Sequence, residues 1–139
     1  MSKYVLKNSV AILDDDETSR YVTGKVIIAN AVAETIQPYS SGLTLLDDLE
    51  RNCYMPDLLP ELLFLDIQMP IINGFEFLER FALLPKVVVN KVKVVLLSSN
   101  SRSTVIDSLI EKGTIVDFFN KPLTEDNLHK IVSIITKTQ

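Results

Sequence analysis

An α/β domain built on one doubly wound, parallel five-stranded sheet with five helices is the fold class this sequence predicts. Three observations point to it. Short continuous apolar runs recur along the chain, each the length of a strand buried on both faces. Amphipathic segments of helical period separate them. Strand and helix alternate five times, which implies right-handed crossovers around a single sheet.

The elements follow in order. Residues 10–13 (VAIL) form the first run, and residues 19–30 carry Val22, Val26 and Ala29 along one side of a helix. Residues 35–39 (TIQPY) form a weaker run; Pro38 has no amide to donate, so this strand belongs at an edge. Residues 42–53 place Leu45, Leu46 and Leu49 at helical spacing, and residues 62–65 (LLFL) form the next strand. A helix over 75–84 carries Leu78, Phe81 and Ala82, and residues 92–97 form a strand broken only by Lys93. Residues 103–112 carry Ile106, Leu109 and Ile110, then stop at Gly113, a good terminator. Residues 115–119 form the last strand. The last helix, over 124–136, has Leu128, Ile131, Val132 and Ile135 inside, with Thr124 as its cap and Glu125 and Asp126 in its first turn. Residues 54–61 and 85–91 read as long loops.

Composition bounds the function. A chain of 139 residues is one domain in length and can bury a core without staples. Its 47% apolar and 23% charged residues are an ordinary globular mix, unlike a disordered tail, a collagen or a coiled coil. The net charge of −4 and the lack of a Lys/Arg run disfavour DNA binding through a basic face. No apolar run approaches the roughly 18 residues of a membrane helix, and residues 10–13 run into acids too soon for a signal peptide. Cys53, the single cysteine, has no partner in the chain, which fits a reducing compartment. No membrane association and a cytoplasmic location are the expectation.

In open α/β sheets the ligand site lies beyond the carboxyl ends of the strands. There the sequence places Asp14-Asp15-Asp16-Glu17 after the first strand, Asp66 after the third, Ser98-Ser99 after the fourth and Lys121-Pro122 after the fifth. Two carboxylates about 5 Å apart repel by roughly 3 kcal/mol at an effective dielectric near 20. Such a cluster raises a pKa or binds a cation. Hard oxygen ligands with open positions suit Mg²⁺ shared with a phosphate. Each feature also has an ordinary explanation: an acidic helix start, a strand-ending cap, a Lys-Pro turn. Their joint placement at four strand ends favours a site.

These motifs resemble those of receiver domains of bacterial two-component response regulators, in the stand-alone form of chemotaxis regulators. The resemblance covers residues 9–135. It rests on Ile12-Leu13-Asp14-Asp15-Asp16, on Leu65-Asp66-Ile67-Gln68-Met69-Pro70 with Asn73-Gly74, on Leu96-Leu97-Ser98-Ser99 and on Phe118-Phe119-Asn120-Lys121-Pro122, in this order. It implies a flavodoxin-like sheet of strand order 2-1-3-4-5 and one receiver domain over residues 1–139. Asp66 is implied as the phosphoacceptor, taking a phosphoryl group from a phosphohistidine of a sensor histidine kinase or a histidine phosphotransfer protein. Asp15, Asp66 and the Gln68 carbonyl are implied to ligate Mg²⁺, with Asp14 holding a metal-bound water. Lys121 is implied to pair with Asp66 at rest and with the phosphoryl group afterwards. Ser98 is implied as the switch hydroxyl, Phe118 as its coupled aromatic and Lys121-Pro122 as a cis peptide. Ser99, where alanine is common, lies beside the phosphoryl site. Asn73 replaces a frequent acid near a helix start. Strand alternation taken alone makes Phe119 the core residue of that pair.

Output is then expected through a protein partner, or a phosphorylation-dependent dimer, meeting residues 98–135. No output domain follows the last helix pattern, so the contact is expected to be non-covalent. Such a domain is a signalling device rather than an enzyme, although it assists its own phosphorylation and dephosphorylation. Two alternatives compete. A haloacid-dehalogenase-type phosphatase also uses a nucleophilic Asp with Mg²⁺, but needs a second Asp two residues on, where Gln68 stands. A non-phosphorylated pseudo-receiver usually lacks an acid or the lysine, and both are present. His129 reads as a solvated surface residue.

Overall fold

The computed structural model describes residue 6 and residues 9–137. Five parallel strands, β1 (Val10–Leu13), β2 (Ile36–Tyr39), β3 (Leu62–Leu65), β4 (Lys93–Ser98) and β5 (Asp117–Asn120), form one sheet in the order β2-β1-β3-β4-β5. The expected flavodoxin-like topology is therefore present, with the Pro38 strand at an edge. Strand alternation divides the interior in two. Ala11, Leu13, Leu63, Leu65, Val94, Leu96 and Phe118 face one layer of helices, α2 (Gly42–Arg51), α3 (Gly74–Phe81) and α5 (Thr104–Glu111). Val10, Ile12, Leu62, Phe64, Val95 and Leu97 face the other, α1 (Glu17–Ala29) and α6 (Glu125–Lys137).

The helix count departs from the expected five. Residues 86–91, expected in a loop, form a sixth helix, α4 (Lys86–Lys91), opened by Pro85 and anchored by the buried Val88. Three successive valines are poor helix formers, so their pattern hides a helix that tertiary contact imposes. The 54–61 loop holds a single 3-10 turn, Pro56–Leu58. β4 and β5 end one residue later than the apolar runs suggest, because Ser98 and Asn120 still pair in register.

Helix ends follow local chemistry. Asp16 caps α1, accepting from the amides of Thr18 and Ser19. Asn73 and Glu76 form a reciprocal capping box at α3. Gly113, at φ +78°, closes α5: its amide donates to the Ile110 carbonyl and that of Thr114 to the Leu109 carbonyl, a Schellman pair.

Two neighbouring positions fix the turn between β3 and α3. Gly74 packs its α-carbon against backbone, and a Cβ there would lie 2.7 Å from the Asp66 carbonyl oxygen and 2.8 Å from the Ile67 α-carbon. Ile71 is 85% exposed and sits at φ +71°, a conformation β-branched residues rarely adopt. Opposite effects are expected. Ile71→Gly should raise stability by about 1 kcal/mol, because the left-handed region costs a residue with a Cβ roughly that much. Gly74→Ala should lower it by about 1–3 kcal/mol through overpacking. Urea unfolding midpoints check both signs.

Candidate functional site

The carboxyl ends of β1, β3 and β5 bring Asp14, Asp15, Asp66 and Lys121 together. Asp14, Asp15 and Asp66 each present a carboxylate oxygen, and these oxygens lie within 4.8 Å of one another. Four consecutive acids after β1 therefore divide their labour. Asp14 continues the buried run of the strand and is 3% exposed. Asp15 faces solvent beside it, Asp16 caps α1, and Glu17 favours the first turn. Asp66 is 7% exposed and continues β3, its amide donating to the Leu13 carbonyl.

Lys121 reaches into this cluster from the end of β5. Its ammonium lies 2.6 Å from Asp14 Oδ2 and 3.6 Å from Asp66 Oδ1. The resting partner implied by resemblance was Asp66; the closer partner is Asp14. Asp14 is better furnished with donors. Its Oδ1 accepts the Asp16 amide at 2.9 Å, and its Oδ2 accepts the Ser19 hydroxyl at 2.6 Å as well as Lys121. Arg20 donates to the Asp14 backbone carbonyl at 2.7 Å.

The two buried acids are polarised in opposite directions. Burial pushes the Asp14 carboxyl up, but the hydrogen bonds from Lys121, Ser19 and the Asp16 amide together hold it below its ordinary value. Burial also pushes the Asp66 carboxyl up. Lys121 and the Gln68 amide counter this only in part, while the charges of Asp14 and Asp15 add to the rise. Of these two acids, Asp66 is the one whose charge the protein satisfies less.

Ser98, 1% exposed, ends β4 on the same sheet face as Phe118 and Asn120. Its hydroxyl accepts the Asn100 amide at 3.1 Å. Ser99 is exposed. Phe118 is 5% exposed and packs in the layer that contains Leu96, Ile106 and Ile115, while Phe119 is half-buried on the opposite face. The expectation that Phe119 is the core member is corrected: both faces of this edge strand are covered, and the α5 side is covered more completely. The Lys121–Pro122 peptide is cis. A cleft of about 650 Å³, lined by Asp15, Ile67, Gln68, Met69, Phe75 and Asn100 among others, opens beside the carboxylates. His129 is exposed on α6.

Sequence reasoning missed Ser19, Arg20 and Asn120. Ser19 and Arg20 lie in the first turn of α1, where spacing alone gives no sign that one side chain folds back onto Asp14. Asn120 stood in a quoted motif without a role, although its place before Lys121 put it at the site's edge.

The donor set tests well for a divalent cation. Three carboxylates at one strand edge, one of them exposed, supply hard oxygens and leave positions for water and phosphate, the preference of Mg²⁺. No helix among the described residues is long and apolar enough to cross a membrane.

Comparison with known proteins agrees with the motifs. Residues 10–133 match the family model described as the response regulator receiver domain. A protein-glutamate methylesterase/protein-glutamine glutaminase of Treponema pallidum is 32% identical over 136 residues, covering 92% of this chain and 31% of that protein. Its namesake in Treponema denticola is 33% identical over 115 residues, covering 81% and 28%. The chain thus spans about a third of these curated relatives. The crystal structure of a two-component response regulator from Cytophaga hutchinsonii superposes with a TM-score of 0.85 at 27% identity, covering 94% of this chain and 97% of that one.

The opposed carboxyls predict opposed pH effects in chelated buffer. The folded value of Asp66 lies above the ordinary 3.8, so the stability it contributes exists at low pH and is lost as pH rises through the folded value. Asp66→Asn should therefore raise the melting temperature at neutral pH, with the gain vanishing as pH falls toward 3.8. Asp14 is the reverse: its contribution is present above 3.8 and lost as pH falls through its lowered value, so Asp14→Asn should lower the melting temperature at neutral pH. Thermal unfolding across pH 3 to 8, on the order of the range where carboxylates titrate, reads both.

Proposed function

Because the chain belongs to the response regulator receiver domain family, the signalling modules of two-component systems, we propose that Asp66 is its phosphoacceptor. The observation that carries this reading is the polarisation of the cluster. Asp14 is saturated by Lys121, Ser19 and the Asp16 amide, whereas Asp66 keeps its charge under-compensated, next to Asp15 and Ile67 of the cleft lining. Residues 1–139 act as one receiver domain in the cytoplasm.

The donor is a phosphohistidine of a sensor histidine kinase or of a histidine phosphotransfer protein. An Asp66 carboxylate oxygen attacks phosphorus, forming an O–P bond as the P–N bond breaks. The imidazole leaves with the bonding pair and takes up a proton. Asp15, Asp66 and the Gln68 carbonyl would hold Mg²⁺, with Asp14 behind a bound water. When bound, the ion neutralises charge on the phosphoryl oxygens, the dominant requirement of phosphoryl transfer. Lys121 moves its ammonium from Asp14 to a phosphoryl oxygen. Ser98 turns its hydroxyl toward another, Ser99 lines the approach of water, and Phe118 follows the vacated space.

Output runs through the face formed by α5, β5 and α6, where Asp107, Glu111, Lys112 and Lys130 are exposed. This mixed polar surface suits reversible contact with a protein partner or a second copy. The methylesterase and glutaminase activities belong to the relatives' names. This chain itself acts as a switch rather than as an enzyme on an external substrate.

Intact mass after incubation with Mg²⁺ and acetyl phosphate tests the assignment. A gain of one phosphoryl group in the wild type, absent in Asp66→Ala, is expected; an unmodified wild type, or turnover of an external phosphomonoester, overturns it. Asp15→Ala should lose both Mg²⁺ affinity by calorimetry and phosphorylation. Lys121→Ala should still accept phosphate, more slowly, but fail to bind the output partner.

A further inference from the structure

Asn120 takes no part in the chemistry above, yet it is wired to the loop that must move. It lies directly opposite Ser98 in the β4–β5 register. Its side-chain Nδ2 donates to the Asn100 carbonyl at 2.7 Å and reaches the Ser98 carbonyl at 3.3 Å. The backbone amide of Lys121 donates to that same Ser98 carbonyl at 2.8 Å. The turn over residues 98–100 is therefore closed twice. From inside, the Ser98 hydroxyl accepts the Asn100 amide. From outside, the Asn120 amide grips the carbonyls at both ends.

The two closures are coupled by geometry. Turning the Ser98 hydroxyl toward Asp66 gives up its bond to the Asn100 amide, and the freed turn must then shift relative to β5. Asn120 opposes that shift because its donors fit Ser98 and Asn100 only while the turn stays closed. An exposed side chain gives up conformational freedom to hold this geometry. We propose that Asn120 is a positioning residue that latches the Ser98–Asn100 turn in the resting conformer, and so sets how strongly a phosphoryl group at Asp66 must pull before Ser98 is released. The inference rests on the receiver assignment of Asp66 and Ser98 and adds to it the element that holds the resting state.

The size of the effect follows from the bonds involved. One hydrogen bond contributes roughly the free energy of a threefold to tenfold change in an equilibrium. A ligand that requires the released conformer gains apparent affinity by the factor that its population rises. Asn120→Ala should therefore bind Mg²⁺–beryllofluoride about threefold to tenfold more tightly than wild type.

The experiment is an NMR titration of wild type, Asn120→Ala, Ser98→Ala and the double variant with Mg²⁺ and beryllofluoride. The Asn100 amide shift serves as reporter. In the latch, the gain from Asn120→Ala disappears in the Ser98→Ala background, because no hydroxyl remains to be released; a merely structural role moves both backgrounds equally. Unchanged or weaker binding by Asn120→Ala overturns the latch, as does an equal gain in the Ser98→Ala background. Failure of wild type itself to bind beryllofluoride overturns the Asp66 assignment instead. Should Asn120→Ala lose its native shift dispersion, Asn120→Leu, similar in size and without donors, serves the same comparison.

Discussion

Three carboxylates share one end of this sheet, and their mutual repulsion is the constraint around which the rest is arranged. At the separations found here each charged pair costs about 3 kcal/mol at an effective dielectric near 20. One ammonium cannot answer three anions. The fold resolves the conflict unevenly. Donors are concentrated on Asp14, which carries its charge comfortably. Asp15 is left in water, where screening is effective. Asp66 is buried beside both and left short of donors. How unevenly the three acids carry their charge is thus a property of where the hydrogen bonds fall, not of Asp66 alone.

Supporting that arrangement requires parallel strands of matched length. β1 and β3 pair in register from Val10 and Leu62 to Leu13 and Leu65, so the residues that follow emerge side by side. Tight backbone approach then holds the second carboxylate in place. The Gly74 amide donates to the Ile67 carbonyl at 2.7 Å, pinning the start of α3 against the Asp66 turn. Any side chain at position 74 would push the backbone of Asp66 and Ile67, so the spacing from Asp66 to Gly74 is a mechanical requirement of this turn.

Most of the architecture was legible because burial on both sheet faces writes continuous apolar runs into β1, β3 and β4, and three-to-four spacing into α2, α3 and α6. The motif acids were legible because their positions follow strand ends. What stayed hidden was set by tertiary contact. α4 forms over a valine run whose local preference is against helix. Phe118 and Phe119 are both apolar, and only the packing of α5 on β5 decides which is deeper. The closer approach of Lys121 to Asp14 than to Asp66, and the fold-back of Ser19 onto the same Asp14 oxygen, are tertiary contacts that no spacing rule encodes. The roles of Asn73 and Gly113, by contrast, follow from local backbone chemistry and could be read from the chain.

The edge strand carries one more consequence. The Tyr39 carbonyl accepts the Asp14 amide and the Thr35 carbonyl accepts the Val10 amide, so odd-numbered residues of this segment turn their polar backbone toward β1. The even-numbered ones, Ile36 and Pro38, turn theirs outward. Pro38 has no hydrogen to offer, which leaves Ile36 as the sole outward donor of β2. A foreign strand laid along this edge would find a broken ladder. The proline therefore works as a chemical stop on sheet extension: it protects a molecule that must meet other proteins repeatedly from fusing with them strand to strand.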